Sequence, residues 1–293
     1  MVINMNIKNI LEKAFVKYDS NINNHFVAGI KDDSRNVEEN DVFFAIKGGQ
    51  TDGKLYIDEA ILNGAKTIIY EGEIHKINNN INYINVINVK RVLALFCKIY
   101  YKDITKKIKV IGVTGTNGKT TVSTLLYDYL CYSGYDPVLI GTSGIYFKDD
   151  HYHTLNTTPN ILDVYAILKE VIKKGAKHLI MEVSSIGIRE CRVLYFDFDI
   201  MIFTNLSHDH LDYHKNITDY KFSKAYILWS VENHPKKVVV LNSDDENIKF
   251  FSSLVKANII TYGVNNSADF KATNIVKNLY LTSSEFNTTT FLG

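Results

Sequence analysis

The most constraining feature of the sequence is an apolar strand that passes through a glycine-rich turn directly into an amphipathic helix. The strand is predicted over Lys109 to Thr114, and the helical pattern ends at Gly134. Between them, apolar residues recur at the spacing of one helix face, as Val122, Leu125, Leu126, Tyr129 and Leu130. A strand that enters a helix in this way opens a β-α-β unit, which predicts a parallel sheet covered by helices.

The turn has the chemistry of a phosphate-binding loop. Backbone N–H groups at a helix N-terminus bind phosphate, while Lys119 would reach the β- and γ-phosphates and the Thr120 hydroxyl would bind Mg²⁺. The standard pattern has its first glycine at position 113, where this sequence has Val113. The alternative is therefore a glycine-rich turn that binds nothing. The sequence favours a nucleoside triphosphate site made by Gly115, Thr116, Asn117, Gly118, Lys119, Thr120 and Thr121.

Strands and helices alternate on both sides of a charged connector at Lys102 to Lys107, so the 293 residues are predicted to form two α/β domains, 1–104 and 105–293. Strands are predicted at Asp41–Ile46, Lys66–Tyr70, Tyr83–Val89, Lys109–Thr114, Val138–Gly141, His178–Val183, Asp199–Thr204, Lys236–Asn242 and Asn258–Gly263. Further helices are predicted within Met1–Phe15 and at Tyr56–Leu62, Arg91–Tyr101, Ile161–Lys174, Asp219–Val231 and Glu246–Leu254. The second domain is expected to be a mostly parallel, doubly wound sheet.

Composition argues against several classes of protein. The formal net charge is +1, which gives no electrostatic reason to expect binding to nucleic acid or to an anionic membrane. Cys97, Cys131 and Cys191 are widely separated, so neither a disulfide framework nor a Cys-x-x-Cys metal site is expected. No signal peptide is visible and no run approaches the ~18 apolar residues of a membrane span, so we expect a cytoplasmic protein.

Acidic and histidine residues follow two of the predicted strands. Glu182 stands at the end of one strand, and His208, Asp209, His210, Asp212 and His214 follow another. Ligands gather at the carboxyl ends of parallel strands, which favours imidazole and carboxylate groups beside a Mg²⁺–phosphate centre. The alternatives are a strand-end Glu in an ordinary ion pair, a solvated polar loop, or a zinc site, although the spacing matches no standard zinc motif.

Two other stretches are ambiguous from the local pattern. Lys224 lies on a predicted helix with the apolar face Phe222, Ala225, Tyr226 and Trp229, so it is expected to be a surface lysine. Residues 156–160 precede a helix, and Thr158 or Asn160 would serve as its N-cap with Pro159 early in the helix. The alternative is that this stretch supplies hydroxyl and amide groups to a polar substrate.

Taken together, these motifs resemble the Mur ligases, and among them the MurE type, the UDP-N-acetylmuramoyl-tripeptide synthetases. The resemblance is carried by residues 114–121, Asn-Thr-Thr at 156–158, Glu-Val-Ser-Ser at 182–185 and the polar stretch 204–214. In the N-terminal half, Asp33-Ser34-Arg35 and later stretches fall in the order of the family. The resemblance runs from about Ile30 to the last residue.

The resemblance implies a small UDP-binding domain followed by an ATPase domain, in an ATP-dependent ligase acting on UDP-MurNAc-L-Ala-D-Glu. Such an enzyme adds a third amino acid, diaminopimelate or L-lysine, through an acyl phosphate. The UDP moiety would be bound by Asp32, Ser34, Gly49, Gln50 and Thr51, and the MurNAc-dipeptide by Asn156, Thr157, Thr158, Ser184, Glu190 and Arg192. Mg²⁺ would be bound by Thr120, Glu182, His210 and a carbamylated Lys224. The implied catalytic residues are Lys119, Glu182, His210 and Lys224. Asn242 would lie near the adenine, and Glu190 replaces a Gln that is common in the family.

The family continues beyond the point corresponding to Gly293, through the rest of the central domain and a third domain. We therefore expect a fragment that is catalytically incomplete, with an open sheet edge near Thr288 to Phe291. We also expect a monomer. Two other functions are considered: another ligase of the superfamily such as a folylpolyglutamate synthase, against which Asp33-Ser34-Arg35 argues, and a non-catalytic nucleotide-binding module.

Overall fold

The structure is a computed structural model that describes residues 5–49, 51–74, 78–207, 216–231, 233–278 and 283–290. The chain divides into two compact units. Unit 1 consists of Met1–Lys106, Asn160–Glu170 and Glu190–Phe196, and unit 2 of Lys107–Pro159, Val171–Arg189 and Asp197–Gly293. Both units alternate strands and helices, which confirms the predicted α/β class. The predicted domain boundary at 104/105 stays a prediction; two later segments of the chain belong to unit 1.

Unit 1 is built on a four-stranded parallel sheet in the order β1-β2-β3-β4. The strands are β1 (Ile30–Lys31), β2 (Val42–Phe44), β3 (Thr67–Tyr70) and β4 (Asn82–Asn85). The helices are α1 (Ile7–Lys13), α2 (Ile57–Leu62) and α3 (Val89–Tyr100). Every residue of β2 and β3 is buried, as in parallel strands that are covered on both faces.

The beginning of α3 explains why the predicted strand Tyr83–Val89 is too long. The strand ends at Asn85, and the Asn88 side chain then accepts a hydrogen bond from the Arg91 N–H at 2.8 Å. This N-cap satisfies a free donor of the first helical turn, so the helix begins at Val89.

Unit 1 also includes most of a helix that lies much later in the sequence, α5 (Ile161–Lys173). Tyr165 of this helix is fully buried, with its ring 5.3 Å from that of Tyr101 and 5.5 Å from that of Phe196. Aromatic pairs at these distances contribute about 0.5–1.5 kcal/mol each beyond the burial of their surface. The core of unit 1 therefore depends on three separate segments of the chain.

Unit 2 contains a ten-stranded sheet in the order β14-β13-β12-β11-β10-β5-β9-β6-β7-β8. Its strands are β5 (Lys109–Thr114), β6 (Pro137–Gly141), β7 (Gly144–Phe147), β8 (Asp150–Tyr152), β9 (His178–Glu182), β10 (Ile200–Phe203), β11 (Val238–Asn242), β12 (Asn258–Gly263), β13 (Phe270–Asn278) and β14 (Ser283–Thr290). Its remaining helices are α4 (Lys119–Tyr132), α6 (Ser185–Arg189), α7 (Ile217–Trp229) and α8 (Ile248–Leu254).

Seven neighbouring strands of the sheet pair in parallel, in the order β13-β12-β11-β10-β5-β9-β6. This confirms the mostly parallel sheet. The antiparallel pairs β6–β7, β7–β8 and β13–β14 were not predicted from the sequence. Much of β8 is exposed, so the alternation of apolar and polar residues that marks a half-buried strand is absent there. Strand β14 lies at one edge of the sheet, as expected for Thr288 to Thr290, and Phe291 lies outside the described residues.

Helix α4 covers the centre of the sheet with a face that shares Val122, Leu126 and Leu130 with the predicted one. Leu125 and Tyr129 are 63% and 66% exposed, so the prediction that they belong to the buried face is wrong. The residues that pack against Ile111, Val113, Leu139 and Ile180 of the sheet are Val122, Leu126, Tyr127 and Leu130. In the described part of the chain, no helix combines the length and the apolar composition needed to cross a bilayer.

Candidate functional site

The loop between β5 and α4 is tied to the end of the neighbouring strand β10. The Asn205 carbonyl accepts a hydrogen bond from the Thr116 N–H at 2.8 Å, and Asn205 Oδ1 accepts one from the Asn117 N–H at 3.0 Å. The Thr204 hydroxyl donates to the Asn117 carbonyl at 2.6 Å. Gly115 has φ of +146°, and a Cβ at this position would lie 1.9 Å from Thr204 Oγ1, so only glycine fits. The neighbouring strand therefore fixes the backbone of the loop.

Two lysine side chains converge on this loop. Lys119, the first residue of α4, donates from Nζ to the carbonyls of Gly115 and Thr116, at 3.0 and 2.8 Å. Lys224 of α7 donates from Nζ to the same Gly115 carbonyl at 2.8 Å. Two ammonium groups at one carbonyl oxygen repel each other, and a phosphate placed beside them would replace repulsion by attraction. The loop therefore has the electrostatics of an anion site at a helix N-terminus.

The expectation from the local pattern that Lys224 lies on the surface is wrong, because the residue is only 1% exposed. Helix α7 buries Tyr220, Lys224, Ile227 and Leu228. Of the predicted apolar face, Ala225 is buried, whereas Phe222, Tyr226 and Trp229 are exposed. The Tyr220 hydroxyl pairs with Thr116 Oγ1 at 3.0 Å, and Lys224 Nζ lies 4.7 Å from the Tyr220 ring. Tyr220, Lys224, Ile227 and Leu228 do share helical spacing, but the lysine among them hides the pattern.

Glu182 is a fully buried carboxylate at the end of β9, next to β5. The Thr120 hydroxyl, in the first turn of α4, donates to Glu182 Oε2 at 3.0 Å. Adjacent ligands of an octahedral Mg²⁺, at about 2.1 Å from the ion, are separated by about this distance. A hydroxyl and a carboxylate oxygen are also the hard donors that Mg²⁺ prefers, so this pair fits the predicted metal site.

Two other predicted residues of this region have different outcomes. His210 lies outside the described residues, as do the other residues of 208–214; among the residues that are described, no three His, Cys, Asp or Glu side chains are grouped as metal ligands. Asn242, at the end of β11, donates to the Thr204 carbonyl and accepts from the Asp244 N–H, both at 2.9 Å. Its amide thus connects strand ends, and its predicted contact with adenine stays a prediction.

The stretch 156–158 is connected to the end of β9 mainly through Thr158. The Thr158 hydroxyl is buried, donates to the Glu182 carbonyl at 2.9 Å and accepts from the Ser184 N–H at 3.0 Å. Ser184 Oγ lies 3.1 Å from the same hydroxyl. Thr157 is half-buried and Asn156 is exposed. The structure therefore groups these four predicted residues within unit 2.

The start of α5 decides between the two predicted N-caps. The carbonyl of Asn160 accepts from the Val164 N–H at 3.1 Å, and its side chain accepts from the Leu162 N–H at 3.3 Å. Asn160 is therefore the N-cap. Thr158 instead bonds to β9, and Pro159 lies before the helix.

The predicted UDP residues of unit 1 lie around a cleft of about 560 Å³, here called the unit 1 cleft. Asp32, Ser34 and Thr51 line it, and Gly49 lies in the exposed turn that begins at Gly48, another lining residue. The Ser34 hydroxyl donates to Glu59 Oε2 at 2.5 Å. Gln50 lies outside the described residues. The walls carry several acidic groups and Arg35, so the cleft suits a polar ligand.

Glu190 and Arg192 also belong to unit 1. Glu190 forms an ion pair with Lys90 at 2.5 Å, so Lys90 compensates the negative charge that Glu brings to this position. Arg192 is half-buried. Their predicted contacts with substrate stay predictions.

Asp32 allows a test of pH dependence in the unit 1 cleft. Burial raises the pKa of the Asp32 carboxyl, against the opposing effect of the hydrogen bond donated by Asn160 Nδ2. A raised pKa in the folded state means that stability is fully present below the unfolded pKa and is lost as pH rises through the folded pKa. We therefore expect Asp32→Asn to raise the denaturation midpoint at pH 7, with the difference from wild type shrinking toward pH 4, in urea unfolding followed by circular dichroism.

Asp33→Asn is the matched control, because the Arg35 guanidinium lowers the pKa of Asp33. Its effect should have the opposite sign: a denaturation midpoint at pH 7 that is slightly lower than that of wild type, with the difference disappearing as the pH falls. Equal pH profiles for the two variants would contradict this account of Asp32.

Comparisons with known proteins agree on one family. The protein-family model described as the Mur ligase middle domain matches residues 113–291. The family model described as Mur ligase family, catalytic domain, matches residues 26–101. These two matches include the phosphate loop, Glu182 and Lys224 in the first and the residues of the unit 1 cleft in the second.

Individual relatives share more than a third of their aligned residues with the chain. It is 36% identical over 252 residues to UDP-N-acetylmuramyl-tripeptide synthetase 2 of Oceanobacillus iheyensis, covering 85% of this chain and 51% of the relative. It is 38% identical over 247 residues to the UDP-N-acetylmuramoyl-L-alanyl-D-glutamate--2,6-diaminopimelate ligase of Phocaeicola vulgatus, covering 84% and 50%. A solved structure of a protein with the latter name superposes with a TM-score of 0.84 at 27% identity, covering 99% of this chain and 58% of that one. The chain thus spans about half the length of the curated relatives it matches.

Proposed function

The chain belongs to the Mur ligase family, and from that premise we propose that it carries the nucleotide- and substrate-binding units of an ATP-dependent ligase of peptidoglycan precursor synthesis. The proposed reaction adds the third amino acid to UDP-MurNAc-L-Ala-D-Glu. The names of the relatives, a tripeptide synthetase and a 2,6-diaminopimelate ligase, support this substrate and an amino acid as co-substrate. Because ATP and a UDP-linked sugar are both nucleotide derivatives, the proposed reaction is a cytoplasmic one.

The chemistry explains why such an enzyme needs a phosphate loop. A carboxylate is a poor electrophile, so the γ-carboxylate of D-Glu attacks the γ-phosphorus of ATP, and ADP leaves. The amine of the incoming amino acid then attacks the carbonyl carbon of the acyl phosphate, and inorganic phosphate leaves as the amide forms. In this proposal Lys119 binds the β- and γ-phosphates, and the backbone N–H groups at the start of α4 hold the phosphates in line.

Thr120 and Glu182 are the proposed Mg²⁺ ligands, supported by the 3.0 Å between their oxygens. When bound, Mg²⁺ supplies positive charge that offsets the charge of the transferring phosphoryl group. Lys224 is proposed to carry a carbamate, because addition of CO₂ to its neutral amine would turn the buried cation beside Gly115 into an anionic oxygen ligand. His210 remains a proposed ligand from the family resemblance.

The binding of the acceptor substrate is proposed separately for each unit. In unit 1, Asp32, Ser34 and Thr51 of the cleft are proposed to contact the UDP moiety, together with Gly49 and Gln50. In unit 2, the peptide end is proposed to meet the hydroxyls around the end of β9, and the full proposed peptide set is Asn156, Thr157, Thr158, Ser184, Glu190 and Arg192. The co-substrate is proposed to be diaminopimelate or L-lysine, and the name of the relative from Phocaeicola vulgatus supports the former.

The convergence of Lys119 and Lys224 on the Gly115 carbonyl, beside the Thr120–Glu182 pair, is the observation that carries the proposal. Isothermal titration calorimetry of this chain with ATP tests it, with and without Mg²⁺, followed by titration with UDP-MurNAc-L-Ala-D-Glu. We expect saturable binding of ATP that is stronger with Mg²⁺, and separate binding of the UDP-linked dipeptide.

Each result of this titration has a clear meaning. Folded protein that takes up no Mg²⁺-ATP would falsify the proposal. Uptake of Mg²⁺-ATP without any binding of the UDP-linked dipeptide would favour a non-catalytic nucleotide-binding module. Detection of the carbamate by mass, as a gain of CO₂ on Lys224 in bicarbonate buffer, would test the role of that lysine independently.

A further inference from the structure

The turn that follows β6 donates two hydrogen bonds to the carboxylate of Glu182, the same carboxylate that accepts one from Thr120 of α4. The Thr142 N–H donates to Glu182 Oε1 at 3.1 Å, and the Thr142 hydroxyl donates to Glu182 Oε2 at 3.1 Å. Gly141 brings this turn close, since a Cβ there would lie 2.2 Å from Glu182 Oε1. Glu182 is fully buried whereas Thr142 is exposed, so Thr142 stands between the carboxylate and solvent.

The direction of the hydrogen bonds around Thr142 follows from its single hydroxyl proton. A carboxylate only accepts, so the proton of Thr142 Oγ1 is directed to Glu182 Oε2. Thr157 Oγ1 lies 3.0 Å from Thr142 Oγ1 and must then be the donor of that pair. The result is a chain from Thr157 through Thr142 to Glu182, and it fixes the rotamer of Thr142.

The two oxygens of Glu182 are thereby distinguished. Oε1 accepts from the Thr142 backbone, while Oε2 accepts from two hydroxyls, those of Thr142 and Thr120. If Oε2 and the Thr120 hydroxyl both bind a metal, the two hydrogen bonds from Thr142 still hold the carboxylate, with Oε2 directed toward Thr120. Charge-assisted hydrogen bonds of this kind are about twice as strong as neutral ones.

We infer that Thr142 is a positioning residue that presents Glu182 Oε2 to the magnesium ion of the bound nucleotide. The inference rests on the proposed function, because it assumes that Mg²⁺-ATP binds at Thr120 and Glu182. Loss of the Thr142 hydroxyl should therefore weaken only the metal-dependent binding of the nucleotide. A purely structural role would change binding with and without the metal alike.

The experiment compares Thr142→Val, which removes the hydroxyl at constant shape, with Thr142→Ser, which keeps it. Calorimetry measures the affinity for ATP in excess EDTA and again at a series of Mg²⁺ concentrations. We expect Thr142→Val to weaken Mg²⁺-ATP binding by about tenfold, the range for a lost hydrogen bond to a charged group, and to leave metal-free ATP binding unchanged. Thr142→Ser should behave as wild type.

Thr154→Val is the matched control, since Thr154 Oγ1 donates at 3.2 Å to the carbonyl of Gly141, beside the same turn, without contacting Glu182. It should leave both affinities unchanged. Equal losses with and without Mg²⁺, or a Thr142→Ser variant as weak as Thr142→Val, would overturn the inference while wild-type binding stands. If wild-type protein binds no Mg²⁺-ATP, the proposed function fails and the inference fails with it.

Discussion

Lys119→Ala is expected to abolish most of the affinity for Mg²⁺-ATP while leaving the folded protein nearly as stable as before. The lysine supplies positive charge at the N-terminus of α4, where the proposed β- and γ-phosphates bind. Removing one partner of a buried, charge-assisted contact costs about 2–5 kcal/mol, which corresponds to roughly 30- to 5,000-fold in affinity. Stability should change little, because the substitution also removes the repulsion between Lys119 and Lys224 at the Gly115 carbonyl.

Calorimetry and thermal unfolding of the same samples check both parts of this result. Lys174→Ala is the control, since Lys174 forms a surface ion pair with Asp150 in the same unit and away from the loop. It should bind Mg²⁺-ATP as wild type does. If Lys119→Ala bound Mg²⁺-ATP with wild-type affinity, the proposal that this loop binds the phosphates would be wrong.

Gly115→Ala is expected to damage both the stability of unit 2 and nucleotide binding. The new Cβ would lie 1.9 Å from Thr204 Oγ1 and about 3 Å from the backbone of Asn205, at a φ of +146° that other residues rarely adopt. The loop must then move away from β10, which breaks the hydrogen bond from the Thr116 N–H to Asn205. Backbone strain and overpacking together give an expected loss of about 2–4 kcal/mol in the free energy of unfolding.

Urea unfolding measures this loss, and Gly134→Ala separates the two causes. Gly134 also has a positive φ, of +80°, but a Cβ there would meet no atom within 4 Å. The control should therefore lose only the conformational penalty, about 1–2 kcal/mol, and keep full affinity for Mg²⁺-ATP. A Gly115→Ala variant that loses no more than Gly134→Ala would show that the loop can shift freely.

Much of the fold could be predicted from local patterns. The strand Lys109–Thr114 and the strand Asn258–Gly263 have the predicted bounds, because short runs rich in β-branched and aromatic residues and bordered by turns are a strong signal. A predicted boundary was wrong where a single side chain caps a helix. Asn88 is the N-cap of α3, although it lies in a run of residues that has the pattern of a strand. The hairpin of β7 and β8 was missed, because β7 is buried almost throughout and β8 is mostly exposed, so neither strand shows the alternation of a half-buried strand.

The candidate site could be predicted only in part from the residues themselves. The loop around Lys119 has a recognisable pattern, but Lys224 is 105 residues later (224 − 119) and lies on a helix whose buried face is obscured by the lysine. Only the family resemblance pointed to it. Thr142 had no signal at all, because its role depends on β6 and β9 being neighbours in the sheet, which no local pattern encodes.

Unit 1 is assembled from three separate segments of the chain, which limits the order in which the chain can fold during synthesis. Tyr165 packs between Tyr101 and Phe196, so the amino-terminal unit cannot complete its core until residue 196 has left the ribosome. During that interval the nascent amino-terminal sheet would expose apolar surface for several seconds at ordinary rates of translation, of about 5–20 residues per second. Ribosome-bound chains of increasing length should therefore become resistant to protease over residues 1–106 only after the Phe196 segment emerges.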